Sequence, residues 1–420
     1  QKLKDKNWKP DFGPTKLNKS AGATVIGCRE FLIAYNINLN TTDKRLATDI
    51  AFEIRETGRS KRKKNPKSSN LLDGEIIRLK NGSPIKVPGK FKCVKAIGWY
   101  VSEYNRAQIS INFTNYKISP IHQVFDSVCD LASKRGLKVT GSELVGLIPK
   151  SALMDAGKYY LNKQGRSLGV SESDILECAV QSLGLNDVSK FNLKEKIIEF
   201  AIEDKKDSLL HLSTYDLIQS ISQNSPAPGG GSVSALVGAL GAALLSMVSL
   251  LTYDKKEYFS RRTKMSRLGE MAHKYQKRLK ELVDEDTHAF DSVMYASRLP
   301  EKAKSDIKLK KQELFKAYKI ATDTPLEIAI LSLEIIKLSI DLIKYGNSNS
   351  VTDAHVAAEV GLAGVRGGCV NVMINLSSFD KISDYDAKIE EKIEGLLKES
   401  NRLHRKAFTL TKKNYKRVKF

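Results

Sequence analysis

Two periods of hydrophobic recurrence divide the chain. In its first part apolar residues alternate with polar ones. Along residues 31–39 one face reads Phe31, Ile33, Tyr35, Ile37 and Leu39, while Asn36 and Asn38 point to the other; this is the signature of a half-buried strand. The strand-like text covers residues 25–39. Thr42 then caps a helix through Arg55 that stops at Gly58. Further strands are predicted at 93–101, 107–115 and within 137–148, with a helix over 120–133 between the last two. That order, β-α-β-β-α-β, is the ferredoxin-like split arrangement. Helices over 150–161, 172–183 and 194–202 close this part.

From Thr214 onward the period changes to three or four residues. Helices are predicted over 214–222, 231–252, 263–297, 302–322, 325–345, 352–376 and 383–413, the pattern of a helical bundle. The charge-rich run Glu203-Asp-Lys-Lys-Asp-Ser208 marks the boundary. The fold class is therefore α+β: an irregular segment (1–22), a ferredoxin-like α/β subdomain (23–203), a linker (204–212) and an all-α helical bundle (213–420).

Charge narrows the partners. A net +21 over 420 residues points to a polyanion, whether nucleic acid, an anionic membrane, or a ligand with several carboxylates or phosphates. The basic insertion of residues 59–90 reads as a solvated hairpin or mobile loop. It has no aromatic stacking positions or groove-reading helix beside its lysines, so nucleic acid is not expected as the partner. The uncharged run 232–253 has the length of a membrane span. It is rich in Gly, Ala and Ser and stands alone in a polar chain, so the buried centre of a bundle is the expectation and a membrane span is not. The five cysteines form no C-x-x-C pair, the usage of a reducing, cytoplasmic compartment. The opening segment lacks the features of a signal peptide and reads as the interior of a longer chain.

Three places have the residue types for chemistry. Ser225-Pro-Ala-Pro-Gly-Gly-Gly-Ser-Val233 runs into the apolar helix. The loop is either a structural turn or, through Gly229, Gly230, Gly231 and Ser232, a seat for an anion or polar heterocycle at a helix N-terminus. In the 263–297 helix, Asp286 stands four residues after Leu282 and four before Phe290, on the apolar face. Asp284 and His288 fall on the solvent side. A carboxyl group on a packed face either forms a salt bridge to a neighbouring helix or carries a raised pKa, as a proton shuttle needs. Finally, Asn347, Asn349 and Asp353 at one helix start, with Asn371 and Asn375 further along that helix, supply amides suited to the edge of a pyrimidinone ring. Ser350 with Asp353 equally reads as a capping box. No grouping of side chains resembles a metal site.

Taken in order, these stretches resemble the bifunctional formimidoyltransferase-cyclodeaminases of histidine breakdown. Ser225–Val233, Leu282-Val-Asp-Glu-Asp-Thr-His-Ala-Phe290 and Gly346-Asn…Thr352-Asp353 resemble the cyclodeaminase domain. Asp11-Phe-Gly-Pro14, Gly22-Ala-Thr-Val25, Ala96-Ile-Gly-Trp-Tyr100 and Gly141-Ser-Glu-Leu-Val-Gly-Leu-Ile-Pro149 resemble the second half of the transferase domain. The resemblance implies transfer of a formimidoyl group from formimidoylglutamate to tetrahydrofolate, and closure of 5-formimidoyltetrahydrofolate to 5,10-methenyltetrahydrofolate with loss of ammonia. It places the cyclodeaminase acid/base on Asp286. It places transferase folate contacts on Gly13, Pro14, Thr15, Lys16, Leu17, Asn18, Lys19, Ser20, Ala21 and Gly22, and on Gly89, Lys90 and Phe91. It further implies polyglutamylated tetrahydrofolate as cofactor and a homo-oligomer, an octamer built as a ring of dimers. The transferase's catalytic histidine belongs to the first half of that domain and matches none of the six histidines here, so transfer by this chain alone is not expected. The rival readings are a basic nucleic-acid binder using Arg59–Lys67 and a non-catalytic oligomeric scaffold, and neither explains Asp286 on an apolar face.

Overall fold

The computed structural model describes residues 2–68, 70–202, 208–378 and 384–414. The chain forms two compact units, Gln1–Ala152 with Leu183–Ile198 and Leu153–Ser182 with Glu199–Phe420.

The first unit is built on β1 (Ile33–Leu39), α1 (Lys44–Ile54), the short pair β2 (Arg59–Ser60) and β3 (Lys86–Val87), then β4 (Val94–Val101), β5 (Arg106–Phe113), α2 (Ile121–Ser133) and β6 (Val139–Val145). The main sheet runs β4-β5-β1-β6, antiparallel throughout, the order a split β-α-β-β-α-β chain produces. Ile33, Tyr35, Ile37 and Leu39 are buried with Ile109, Ile111 and Phe113 of β5 and with Ile50, Ile54, Val124 and Val128 of the two helices. The first strand begins at Ile33, later than its alternation predicts, because Ile33 is the last residue opposite β5, paired with Phe113. Asp43, rather than Thr42, caps α1, its side chain accepting from the Arg45 N–H at 2.8 Å. The basic insertion is an ordered antiparallel hairpin, braced by Arg62 donating to the carbonyls of Leu72 (3.0 Å) and Gly74 (2.8 Å). Asp49 on α1 is buried between Arg59 and Arg135. Removing one partner of such a buried pair costs about 3–5 kcal/mol.

Beyond β6 lie α3 (Lys150–Lys163), α4 (Glu172–Leu183) and two short helices, α5 (Leu193–Lys196) and α6 (Ile198–Ile202). The single helix expected over 194–202 is broken because Ile148 N–H donates to Lys196 (2.9 Å) and Ile198 N–H donates to Ile148 (3.0 Å), pulling Ile197 into extended geometry.

The second unit contains α7 (Thr214–Ile221), α8 (Gly230–Tyr253), α9 (Arg262–Ser297), α10 (Lys304–Tyr345), α11 (Val351–Leu376) and α12 (Asp384–Asn414). Helix α8 is the centre. Gly238 faces both Leu279 of α9 and Ser332 of α10, and Gly241 faces Ile335 of α10 and Val360 of α11. Small residues are obligatory at such crossings: a Cβ on Gly364 would stand 2.4 Å from Ser332 Oγ. Leu245, Val248, Leu279, Leu282, Ile335 and Ile336 are fully buried, each contributing about 1.5–3 kcal/mol. Helices α8 and α11 are long and apolar enough to cross a bilayer by length and composition, and about half of each apolar window is buried within the protein. The segment joining α3 and α4 is fixed to the bundle by Tyr253 Oη donating to the Gly165 carbonyl (2.9 Å) and Leu168 N–H donating to Ser266 Oγ (3.0 Å).

The two helices predicted at 302–322 and 325–345 are one. Helix α10 continues through Pro325, which has no N–H for the carbonyl of Ala321 four residues back. Asn375 of α11 supplies the missing donor, its Nδ2 lying 2.6 Å from that carbonyl oxygen.

Candidate active site

Helix α8 starts without a cap of its own: its N-cap is Gly229, which has no side chain to accept a first-turn N–H. The acceptor comes from α9. Asp286 takes the Ser232 N–H, seated where the helix dipole favours negative charge. The approach is close enough to require glycine. A Cβ on Gly231 would lie 2.0 Å from Asp286 Oδ1 and 2.5 Å from Oδ2.

Asp286 is half-buried, and loss of water pushes its carboxyl above the usual carboxylate range, against the opposing pull of hydrogen bonds from the Ser232 hydroxyl and N–H. Ser232 itself is 3% exposed. Its hydroxyl lies 2.9 Å from the Val283 carbonyl, 3.2 Å from Asp286 Oδ2 and 3.2 Å from Thr287 Oγ1. One hydroxyl proton serves one acceptor at a time. Given to Asp286, it stabilises the carboxylate; given to Val283, it frees oxygen lone pairs to accept from a protonated Asp286. Both protonation states therefore have a partner. The side chain of Ser232, taken from sequence as a ligand contact, faces the acid.

Helix α11 forms the other flank. Asn371 Nδ2 donates to the Gly367 carbonyl one turn earlier (2.8 Å), which turns the amide toward Gly230. A Cβ there would stand 3.5 Å from Nδ2 and 4.0 Å from Oδ1. Positions 230 and 231 are about 100° apart around the helix, so the α8 N-terminus separates an amide from a carboxyl group.

The other asparagine assignments are corrected by position. Asn347 lies at the far end of α8: its N–H donates to Thr252 Oγ1 (2.8 Å), and Lys255 donates to its Oδ1 (3.2 Å). Gly230 and Thr252 are 22 residues apart, about 33 Å along the helix, so Asn347 and the nearby Asp353 are not brought to Asp286. The Ser350 side chain makes no capping bond to α11; Asn347 caps the short turn of residues 348–350 that precedes it, accepting from Asn349 N–H at 3.1 Å. Asn375 is committed through its Nδ2 to Ala321. Asp284 does not face open solvent. It accepts from Ser208 Oγ (2.7 Å) and Leu209 N–H (2.8 Å), because the incoming segment lies along that side of α9. His288 is exposed, as expected. A cleft of ≈ 540 Å³ between α9 and α10, lined by His288, Tyr295, Lys316 and Ile320 among others, opens on that other side of α9.

In the first unit, Gly13 to Gly22 are exposed throughout, with Asn18 Oδ1 accepting from Ser20 and Ala21 in a tight turn. Gly89, Lys90 and Phe91 close the end of α1, their N–H groups donating to carbonyls of Glu56, Glu53 and Ile54 (3.4, 2.8 and 3.1 Å). The face of the sheet opposite α1 and α2 carries a polar cluster that motif reading did not assemble. Gln108 donates to Asn38 (2.6 Å), Asn38 to Asp187 (2.7 Å) and Trp99 to Gln108 (3.1 Å). The signal for it was the asparagine pair on the polar side of β1. Among the described residues, no group of His, Cys, Asp and Glu could hold a metal ion.

Comparison with known proteins also divides the chain in two, with residues 153–182, part of the second structural unit, falling in the first family match. Residues 34–203 match the formiminotransferase domain family and residues 213–412 the formiminotransferase-cyclodeaminase family. The formimidoyltransferase-cyclodeaminase of Sus scrofa is 36% identical over 403 residues, 95% of this chain and 69% of that protein. The glutamate formimidoyltransferase of Thermoplasma acidophilum is 37% identical over 175 residues, 42% of this chain and 46% of its own length. The methenyltetrahydrofolate cyclohydrolase of Methylorubrum extorquens is 32% identical over 195 residues, 46% of this chain and 93% of its own length.

Proposed function

The chain belongs to the formimidoyltransferase-cyclodeaminase family, and from that membership and the Asp286 site we infer that it is a folate-dependent enzyme of histidine degradation. Its helical unit converts 5-formimidoyltetrahydrofolate to 5,10-methenyltetrahydrofolate and ammonia. Its α/β unit is the folate-binding half of a glutamate formimidoyltransferase, whose reaction supplies that substrate from formimidoylglutamate and tetrahydrofolate. The observation that carries the first assignment is Asp286 itself, a half-buried carboxyl held at a helix N-terminus with a hydroxyl partner for either protonation state.

Ring closure needs a proton removed from N10 as it attacks the amidine carbon, and a proton delivered to the nitrogen that leaves. A single carboxyl group with a raised pKa does both in turn. The uncapped N–H groups of Gly229 to Gly231 hold the ligand beside it. Purified protein should turn over 5-formimidoyltetrahydrofolate, read as methenyl absorbance and released ammonia. Replacing Asp286 by Asn should cut kcat at least 100-fold, the scale of losing a positioned acid/base. Normal turnover by that variant would refute the assignment.

The same reading assigns transferase folate contacts to Gly13–Gly22 and Gly89–Phe91. It takes the cofactor as polyglutamylated, a polyanion matched to the +21 charge, and the location as cytoplasmic. Association with further copies is supported by an uninterrupted apolar outer face on the uncharged α8 (Leu240, Met247, Leu251) beside Val356, Val370 and Ile374 of α11, all exposed. Sedimentation would test an octameric ring of dimers directly.

A further inference from the structure

We propose that Asn371 binds the departing nitrogen of the substrate, accepting a hydrogen bond from it through Oδ1 across the α8 N-terminus from Asp286. This rests on the cyclodeaminase reading above. Of the five site asparagines and aspartates marked in the sequence outside α9, only Asn371 reaches the first turn of α8. Asn347 and Asp353 sit at the opposite end of the bundle, and Asn375 is engaged with Ala321. The amide is oriented by its Nδ2 bond to Gly367. Both of its polar atoms stand beside the notch that the missing Cβ of Gly230 leaves open, Nδ2 at 3.5 Å and Oδ1 at 4.0 Å from where that Cβ would be. With Nδ2 committed to Gly367, Oδ1 is the atom left to accept from a ligand.

The chemistry calls for such an acceptor. The substrate enters as an amidinium cation. N10 forms a bond to its carbon, and the N10 proton passes to Asp286, leaving a neutral tetrahedral centre with N5, N10 and NH2 on one carbon. Asp286 returns the proton to that NH2, the carbon–nitrogen bond breaks, and ammonia departs from the methenyl cation, so one positive charge enters and one leaves. Three nitrogens compete for the returned proton at the tetrahedral stage. Protonation at the exocyclic nitrogen alone drives the reaction forward. An amide oxygen accepting an N–H of that group holds its lone pair toward Asp286 and cannot itself protonate it, because an amide oxygen accepts hydrogen bonds without titrating in this range. A hydrogen bond to a group that becomes charged is worth about 10–100-fold in rate.

The test compares Asn371→Leu, which keeps the volume and removes the acceptor, with Asn371→Asp, which keeps an oxygen at Oδ1. Steady-state kinetics and the nitrogen-15 isotope effect on released ammonia are measured for both. For Asn371→Leu the expected result is a 10- to 100-fold fall in kcat, KM within threefold, and a rise in the isotope effect as carbon–nitrogen cleavage becomes limiting. Asn371→Asp should retain more kcat than Asn371→Leu. Overturning results are kcat within twofold of wild type for Asn371→Leu, or a fall with unchanged isotope effect that Asn371→Asp shares in full, which marks a packing role. If Asn371→Leu fails to unfold cooperatively, Asn371→Ala takes its place as the variant without the acceptor: an isotope effect equal to wild type in Asn371→Ala overturns the proposal. Absence of turnover in the wild-type protein would refute the cyclodeaminase reading instead.

Discussion

Gly231→Ala is the most discriminating substitution in the candidate site, because stability and activity should respond to it differently. The added Cβ would lie 2.0 Å from Asp286 Oδ1, and real Cβ contacts do not fall below 3.0 Å, so the carboxyl group must retreat by 3.0 − 2.0, at least 1.0 Å. That retreat breaks the bond from Ser232 N–H, worth about 1.5–3 kcal/mol for a charged acceptor. Against it stands the helix preference of Ala over Gly, about 0.8–1.0 kcal/mol in a helix interior. The net loss of stability is about 1–2 kcal/mol, a few degrees in melting temperature for a unit of this size. Activity should suffer more, since a displacement of about 1 Å at a reacting group costs about 100-fold. Gly230→Ala is the matched control. It offers the same helix preference, but its Cβ meets Asn371 Nδ2 at 3.5 Å, ordinary contact, so it should not lose stability. It is the control for the melting arm, and its activity reports on the notch beside Asn371. Methenyl formation and circular-dichroism melting on both variants read the two effects. A Gly231→Ala enzyme within threefold of wild type in kcat/KM would refute the placement of Asp286 against α8.

Asp286 holds its proton to higher pH in the folded than in the unfolded chain, so it opposes folding increasingly as pH rises from the ordinary carboxylate range through its folded pKa. Asp286→Asn should therefore be more stable than wild type at neutral pH and indistinguishable at pH below the carboxylate range, as denaturant titrations at both would show. The wild-type rate should fall on acidification along a limb set above about pH 4, the unperturbed carboxylate value; a limb at or below that value counts against Asp286 as the base. Ser232→Ala removes a hydroxyl partner of the acid in both protonation states and should lower kcat about tenfold, with KM little changed, since the side chain faces Asp286 rather than open solvent. Asn375→Leu should cost about 1–2 kcal/mol by orphaning the Ala321 carbonyl in the wild-type background, and clearly less with Pro325→Ala, which restores the helical donor. Equal costs in the two backgrounds, measured as a double-mutant cycle, would show that the side chain does not replace the missing N–H.

How much of this was legible in the sequence depended on whether the deciding interaction was local. The alternation of β1 and the wheel of α9 are local, and both were right where local pattern decides: Ile33, Tyr35, Ile37 and Leu39 are inside, and Asp286 is on the packed face. Phe31 is exposed, Asn36 and Asn38 are buried as well, and Asp284 meets the incoming segment, each because of a neighbour the pattern does not contain. The asparagines were misread because amides attract partners that only the fold supplies. Asn347 and Asn371 look alike in sequence, yet α11 runs antiparallel to α8 and carries them to opposite ends of it. Pro325 shows the same limit from the other side. A proline after Thr324 reads locally as a helix boundary, and the helix continues because Asn375, fifty residues later, supplies the missing donor.

The glycine loop joins these two cases. A helix that begins Gly-Gly-Gly has no residue at its N-terminus able to accept its own N–H groups, and a buried carboxyl group with no cationic partner is costly. Each defect answers the other when Asp286 closes on Ser232 N–H. The match is incomplete: burial still holds the carboxyl above its usual range, so the α8 N-terminus has an acceptor that does not ionise easily. A conventional Ser or Asp cap at position 229 would satisfy the helix better and would remove the need for Asp286 to do so. The three glycines therefore keep the helix end dependent on a group from another helix, and the same open first turn gives a ligand access to both Asp286 and Asn371.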